Sequence, residues 1–159
     1  MTKLKFFAIV LVFFSFLVIN FLYINSTKPE NIEKIAKTHK LKLDKLEIAK
    51  TRDEQQIGLM KRTEMCEKCG MLFVFENSDY LNFWMKNTLI SLDIIFINEN
   101  QEIVKIHPKT QINQTEILYP SEQKAKWVLE VPSDFCEKND IKEKDFLDID
   151  YLQQNSKLD

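Results

Sequence analysis

Glycine is nearly absent. Gly58 and Gly70 are the only two in 159 residues, alongside four prolines, three cysteines and two histidines. So little glycine excludes a glycine-rich phosphate cradle, a collagen-like repeat and a long flexible linker, and nucleotide binding of the usual kind is not expected. A basic stripe is missing as well. The formal net charge is −2 and already includes Lys3 and Lys5, so the rest of the chain is more acidic still. Lysines are interspersed with acids rather than clustered, and a nucleic-acid partner is not expected. Neither His39 nor His107 accompanies a serine or cysteine in a nucleophile motif, which argues against a triad hydrolase. No cofactor motif is present.

What is there begins with grease. Residues 6–24, FFAIVLVFFSFLVINFLYI, form an almost unbroken apolar run behind Lys3 and Lys5. A helix of that length crosses the roughly 30 Å hydrocarbon layer. The run is longer than the apolar centre of a cleaved signal and ends without a small-x-small site, so residues 1–25 are expected to stay as a transmembrane anchor. Basic residues ahead of the run favour an N-terminus inside and a domain facing the periplasm or cell exterior. Residues 26–40 read as a polar spacer, 41–152 as one domain and 153–159 as a tail. With 45% hydrophobic and 29% charged residues, the remainder suffices for a single core.

Along that domain, Leu41 to Ala49 alternates as a half-wet strand. Thr51-Arg52-Asp53-Glu54 matches a capping box, which predicts a short helix over 52–61 with Ile57 and Met60 on one face. Met71 to Phe75 reads as an internal strand, Glu76 to Asp79 as a turn, and Tyr80 to Lys86 as a strand. In that strand Leu81, Phe83 and Met85 are opposite Tyr80, Asn82, Trp84 and Lys86. Leu92 to Asn98 follows, and the two apolar runs within 82–96 read as neighbouring strands bringing Lys86 and Asp93 to one sheet end. Asn98 to Gln101 suggests a hairpin into Glu102 to His107, and 109–125 a long loop. Trp127 to Val131 is another strand, Ser133 is a candidate cap for a helix to Asn139, and Phe146 to Leu152 is expected to complete the sheet. The pattern predicts a mainly β fold, a barrel or sandwich of short strands with one or two short helices.

Three strings, GLMKR (58–62), GMLFVF (70–75) and FWMKNTLISLDIIFI (83–97), with the later Trp-Val-Leu-Glu-Val strand, resemble the domain of unknown function 192 family. The resemblance spans about residues 41–152. It implies a compact β-rich domain, often exported or tethered in prokaryotes, with no established activity. Ser91 stands where relatives usually carry proline, the cysteine pair lies in a segment usually free of cysteine, and the Pro132-Ser133-Asp134 turn stands where a glycine is more usual.

The candidate groove is the polar face around the central tryptophan: Arg62, Asn82, Trp84, Lys86, Asn87, Thr88, Asp93, Tyr119 and Glu130. Trp84 would serve as a stacking platform and the polar groups would orient a small or oligomeric ligand. Structural roles compete with this. Trp84 could pack under a loop, Arg62 could pair with Glu130, and Lys86 with Asp93 could be a sheet-end salt bridge rather than an anchor and a general base. Cys66 and Cys69 suit a disulfide, a redox pair or half a metal site, with Cys136 left over. Met60, Met65, Met71, Met85 and His107 would join them in a Cu(I) site, although methionine also simply fills cores. The expected function is a tethered envelope module that binds a small ligand or a partner protein. The alternatives are an enzyme using Asp93 and Lys86, and a Cu(I) protein.

Overall fold

The computed structural model describes residues 38–156. The expected anchor and the spacer up to Lys37 lie outside the described residues. Among the described residues no helix is long and apolar enough to cross a membrane. The described residues form seven strands and three short helices in order: β1 (Thr38–His39), β2 (Lys45–Ala49), α1 (Arg52–Ile57), β3 (Cys69–Phe83), β4 (Leu92–Ile97), β5 (Ile103–His107), β6 (Tyr119–Pro132), α2 (Phe135–Lys138), β7 (Phe146–Leu147) and α3 (Ile149–Asn155).

The chain is mainly β with a few short helices, and its main sheet is open. The order β2-β3-β6-β4-β5 leaves β2 and β5 at the edges, while β1 and β7 form a separate parallel pair. No barrel closes, and the stretch expected to complete the sheet divides instead. Only Phe146 and Leu147 are extended, and Asp148 then caps α3, its Oδ1 accepting from the Tyr151 N–H at 2.8 Å. The fold therefore takes in both flanks of the expected 41–152 domain. β1 begins at Thr38, and the Leu43 N–H donates to Ser156 Oγ at 2.9 Å.

β6 runs antiparallel to both β3 and β4 and lies between them. β3 and β4 are thus parallel to each other and cannot pair through a tight break, because parallel neighbours in sequence need a crossover. The two apolar runs of 82–96 are not neighbouring strands. Phe83 pairs with Tyr119 at one end of β6, whereas Leu92 pairs with Pro132 at the other, so residues 84–91 travel back along the sheet.

That path crosses one face, where Met85 is fully buried with Phe73, Ile94, Phe96 and Val128. The opposite face holds Leu72, Ile95, Leu129 and Val131 under Phe135, Ile149 and Leu152 of the helices. Period-two alternation in β3, β4 and β6 feeds both layers. It explains why β4, Leu-Asp-Ile-Ile-Phe-Ile, is buried throughout.

Two boundaries along this stretch differ from expectation. The capping box at Thr51 and Glu54 is present, but α1 stops at Gly58, which has φ 46. A Cβ there would also lie 3.2 Å from Phe73 Cζ. β3 continues through the expected turn at 76–79, with register shifts between Val74 and Asp79, and pairs there with the start of β6. The resulting arm is largely wet on both sides, so its polar residues look like a turn in sequence. The β4–β5 hairpin forms as expected, with Asn98 Oδ1 accepting the N–H groups of Asn100 and Glu102.

Asp93 is a structural clamp. It is 1% exposed; its Oδ1 accepts from the Lys109 N–H and its Oδ2 from the Cys136 N–H, both at 2.9 Å. Neither Ser133 nor Asp134 caps α2 with a side chain. Asp134 stands at that position with φ 70, which accounts for a preference for glycine in this turn. Asp93 supplies the missing acceptor from β4. Replacing it by alanine leaves two N–H groups unpaired, one buried and one half-buried, and Asp93→Ala is expected to lower stability by about 3 kcal/mol in urea unfolding.

Candidate functional site

Behind the 84–91 crossover the sheet keeps a recess of about 260 Å³. Its walls come from segments that the topology forces together. The C-terminal end of α1 with Gly58 to Met60 forms one side, and Phe75, Leu81 and Phe83 of the β3 arm form another. Trp84 and Lys86 of the crossover form the rim, over buried Thr88, Phe73 and Glu130. Two left-handed residues latch the mouth. Lys61 (φ 64) donates its N–H to the carbonyl of Asn87 (φ 57), joining the loop after α1 to the crossover. Aromatic edges stiffen the wall, with the Phe83 ring centroid 5.0 Å from that of Phe73 and 5.5 Å from that of Phe96.

Glu130 is the unusual group. It stands in β6 opposite Met71 on one neighbour and Ile94 on the other, so its side chain enters the apolar layer. Only 5% of it is exposed, on the recess it lines. Among the described residues its carboxyl has no hydrogen-bond or ion-pair partner, and burial alone pushes its pKa up to about 8. At neutral pH the recess therefore presents a mostly neutral acid, a donor as well as an acceptor.

Asn82, Trp84, Lys86, Thr88 and Glu130 from the expected groove do come together here. Trp84 is 42% exposed and does not pack under a loop; the Lys86 Nζ lies 5.3 Å from its ring centroid. The other expected members do not line the recess. Arg62 pairs with Glu47 on the neighbouring strand, not with Glu130. Asn87 spends its carbonyl on the latch. Tyr119 is buried against His107, and its hydroxyl accepts from the Gln111 N–H at 2.9 Å.

Asp93 belongs to the opposite layer, in register with Val131, so Lys86 and Asp93 form neither a salt bridge nor a catalytic pair. The recess-lining residues that sequence reasoning missed include Gln55, Gln56, Gly58, Phe73, Phe75 and Phe83, whose letters carry no chemical signature.

The sulfur chemistry is simpler than the alternatives allowed. Cys66 and Cys69 are joined in a disulfide at the entrance to β3. Both sulfurs are thus withheld from Cu(I) in this state, while Met71 and Met85 are buried core residues. Burial first, then the Asp93 carboxylate, hold the buried Cys136 thiol far above its ordinary range, so it is not a ready nucleophile. Among the described residues no cluster of histidine, cysteine and carboxylate side chains is arranged for a metal.

A sequence profile of the domain of unknown function 192 family, described as an uncharacterised ACR, matches residues 33–149. The chain belongs to that family. Two solved structures are similar to it. One, from Sinorhizobium meliloti 1021 and provisionally described as a transcription regulator, is 30% identical with a TM-score of 0.61, over 64% of this chain and 78% of its own. The other, a protein of unknown function from Novosphingobium aromaticivorans DSM 12444, is 34% identical with the same TM-score, over 64% of this chain and 71% of its own. Among curated proteins none matches. Within this family member the strings that carried the resemblance build the recess: GLMKR turns at its mouth, GMLFVF supplies Phe73 and Phe75, and FWMKNT forms the rim.

The carboxyl at the floor couples stability to pH. An acid whose pKa rises on folding binds its proton more tightly in the folded state. Stability is then greatest below the ordinary value of 4.5 and declines as pH climbs toward about 8. The decline totals on the order of 5 kcal/mol. Glu130→Gln, which mimics the neutral acid, is expected to match the parent within about 1 kcal/mol at pH 5 and to exceed it by on the order of 3 to 4 kcal/mol at pH 9. Urea midpoints at the two pH values check this.

Proposed function

We propose that this domain is a ligand-binding module of the cell envelope, tethered by its N-terminal apolar segment and facing the periplasm or cell exterior. The observation that carries the binding reading is Glu130, a desolvated and unpartnered carboxyl at the floor of an aromatic recess. Leaving such a group empty-handed costs free energy in the free protein, and folds keep that cost where a ligand repays it. The recess is smaller than the roughly 300–1,000 Å³ clefts that hold drug-sized molecules. Its occupant is accordingly a small molecule or the end of a larger one. Trp84 and Ile57, both exposed beside the recess, provide apolar contact for whatever part stays outside.

Binding is favoured over catalysis because the enzyme reading needed Asp93 as a base, and both its oxygens are occupied by backbone N–H groups. A copper reading would first require reduction of the Cys66–Cys69 disulfide. The envelope placement rests on residues 6–24, whose length and flanking lysines favour an anchor with the domain outside.

Two measurements check the proposal. Alkaline phosphatase fused after residue 40 is expected to be active in cells, and an inactive fusion would reverse the topology. In small-molecule screens of the detergent-solubilised full chain, ligands that shift the Trp84 indole N–H signal are expected to lose at least about tenfold in affinity in Trp84→Ala, the scale of losing one well-packed aromatic contact.

A further inference from the structure

Resting on the binding reading above, we infer that the occupant of the recess is a cationic amphiphile: an apolar body against the phenylalanine wall and an ammonium or guanidinium head paired with Glu130. Three features select this class. Of the polar side chains that line the recess only Glu130 and Thr88 are buried, whereas Gln55, Gln56, Asn82 and Lys86 lie nearer solvent, so a ligand with many hydroxyls would leave those at the buried end unpaired. A single charged head on an apolar body has the matching shape of polarity. The lining aromatic rings also favour a cation over an anion, and the rim already shows this, with the Lys86 ammonium 5.3 Å from the Trp84 centroid. Finally, a cation is the one head group that makes ionised Glu130 tolerable at this depth. A carboxylate ligand would instead place a second negative charge beside it.

Binding is then linked to a proton. Below the pKa of the empty site, the Glu130 proton passes to solvent as the cationic head enters, so one positive charge replaces another and the site stays neutral overall. Glu130 and Lys86 are the only charged or titratable side chains among the described residues that line the recess, and Lys86 stays at the rim. Its like charge makes a small opposing contribution.

Three probes with one apolar body separate the possibilities: n-hexylamine, 1-hexanol and hexanoate, titrated into the detergent-solubilised full chain while the Trp84 indole N–H signal is followed by NMR. The expected result is that n-hexylamine binds tightest. Its Kd should fall about tenfold per pH unit between pH 6 and 7.5 and level off above pH 8. Glu130→Gln should weaken the amine at least tenfold at pH 8 and abolish the slope, while changing hexanol less than about threefold. Lys86→Met should leave the amine unchanged or modestly tighter.

Hexanol binding as well as the amine, an amine affinity flat in pH, or full amine affinity in Glu130→Gln would overturn the inference while sparing the recess as a binding site. So would hexanoate binding tightest and losing affinity in Lys86→Met. If none of the three moved the Trp84 signal at millimolar concentration, the binding reading would fall with it.

Discussion

Everything distinctive in this domain follows from β6 lying between β3 and β4 and running against both. That order makes the strands flanking it parallel, and a parallel pair close in sequence must be joined by chain that retraces the sheet. The eight-residue stretch from Trp84 to Ser91 does so across one face, with Met85 as its buried anchor. Because the crossover lies over the sheet with α1 and the β3 arm beside it, it encloses space instead of filling it. The recess is a consequence of topology, and the side chains on its floor are those that β3 and β6 present to that face.

The same order sends the two buried carboxylates of the central strands to opposite fates. Asp93 and Glu130 stand on adjacent strands but face opposite layers. Asp93 meets the N–H groups of an incoming loop and a helix start, which accept its charge in place of water. Glu130 meets methionine, isoleucine and phenylalanine, and nothing there takes its charge. A buried acid with partners is structure; a buried acid without them, at a cavity wall, is a reserved contact. That contrast is the reason for placing function at Glu130.

Local signals were legible in the chain and long-range ones were not. The capping box at Thr51 and Glu54, the Asn98 hairpin and the alternation of Leu81, Phe83 and Met85 against Asn82, Trp84 and Lys86 all depend on neighbours a few residues away, and they appear as read. The pairing expected of the two runs in 82–96 does not form, because adjacency in sequence is not adjacency in the sheet: β6 arrives from more than twenty residues later and separates them. The first part of the arm, 76–79, is hidden for a different reason. Strands wet on both faces lose the alternation that marks a strand. Among the groove residues, the crossover group was found because polar letters interrupt an apolar stretch. Arg62 and Tyr119 were included on type alone and proved to be occupied elsewhere. The depth of Glu130 could be suspected from its place inside Trp-Val-Leu-Glu-Val, but its lack of a partner is visible only when Met71 and Ile94 are seen beside it.

The most direct test of this account is the titration of the Glu130 side-chain carboxyl itself, followed by carbon-detected NMR in the ligand-free full chain. The account predicts a midpoint near pH 8, the mark of a carboxyl held in an apolar recess without a partner. A midpoint in the ordinary range around 4.5 would contradict it, showing that water or a neighbouring group already satisfies the charge and that no contact is held in reserve.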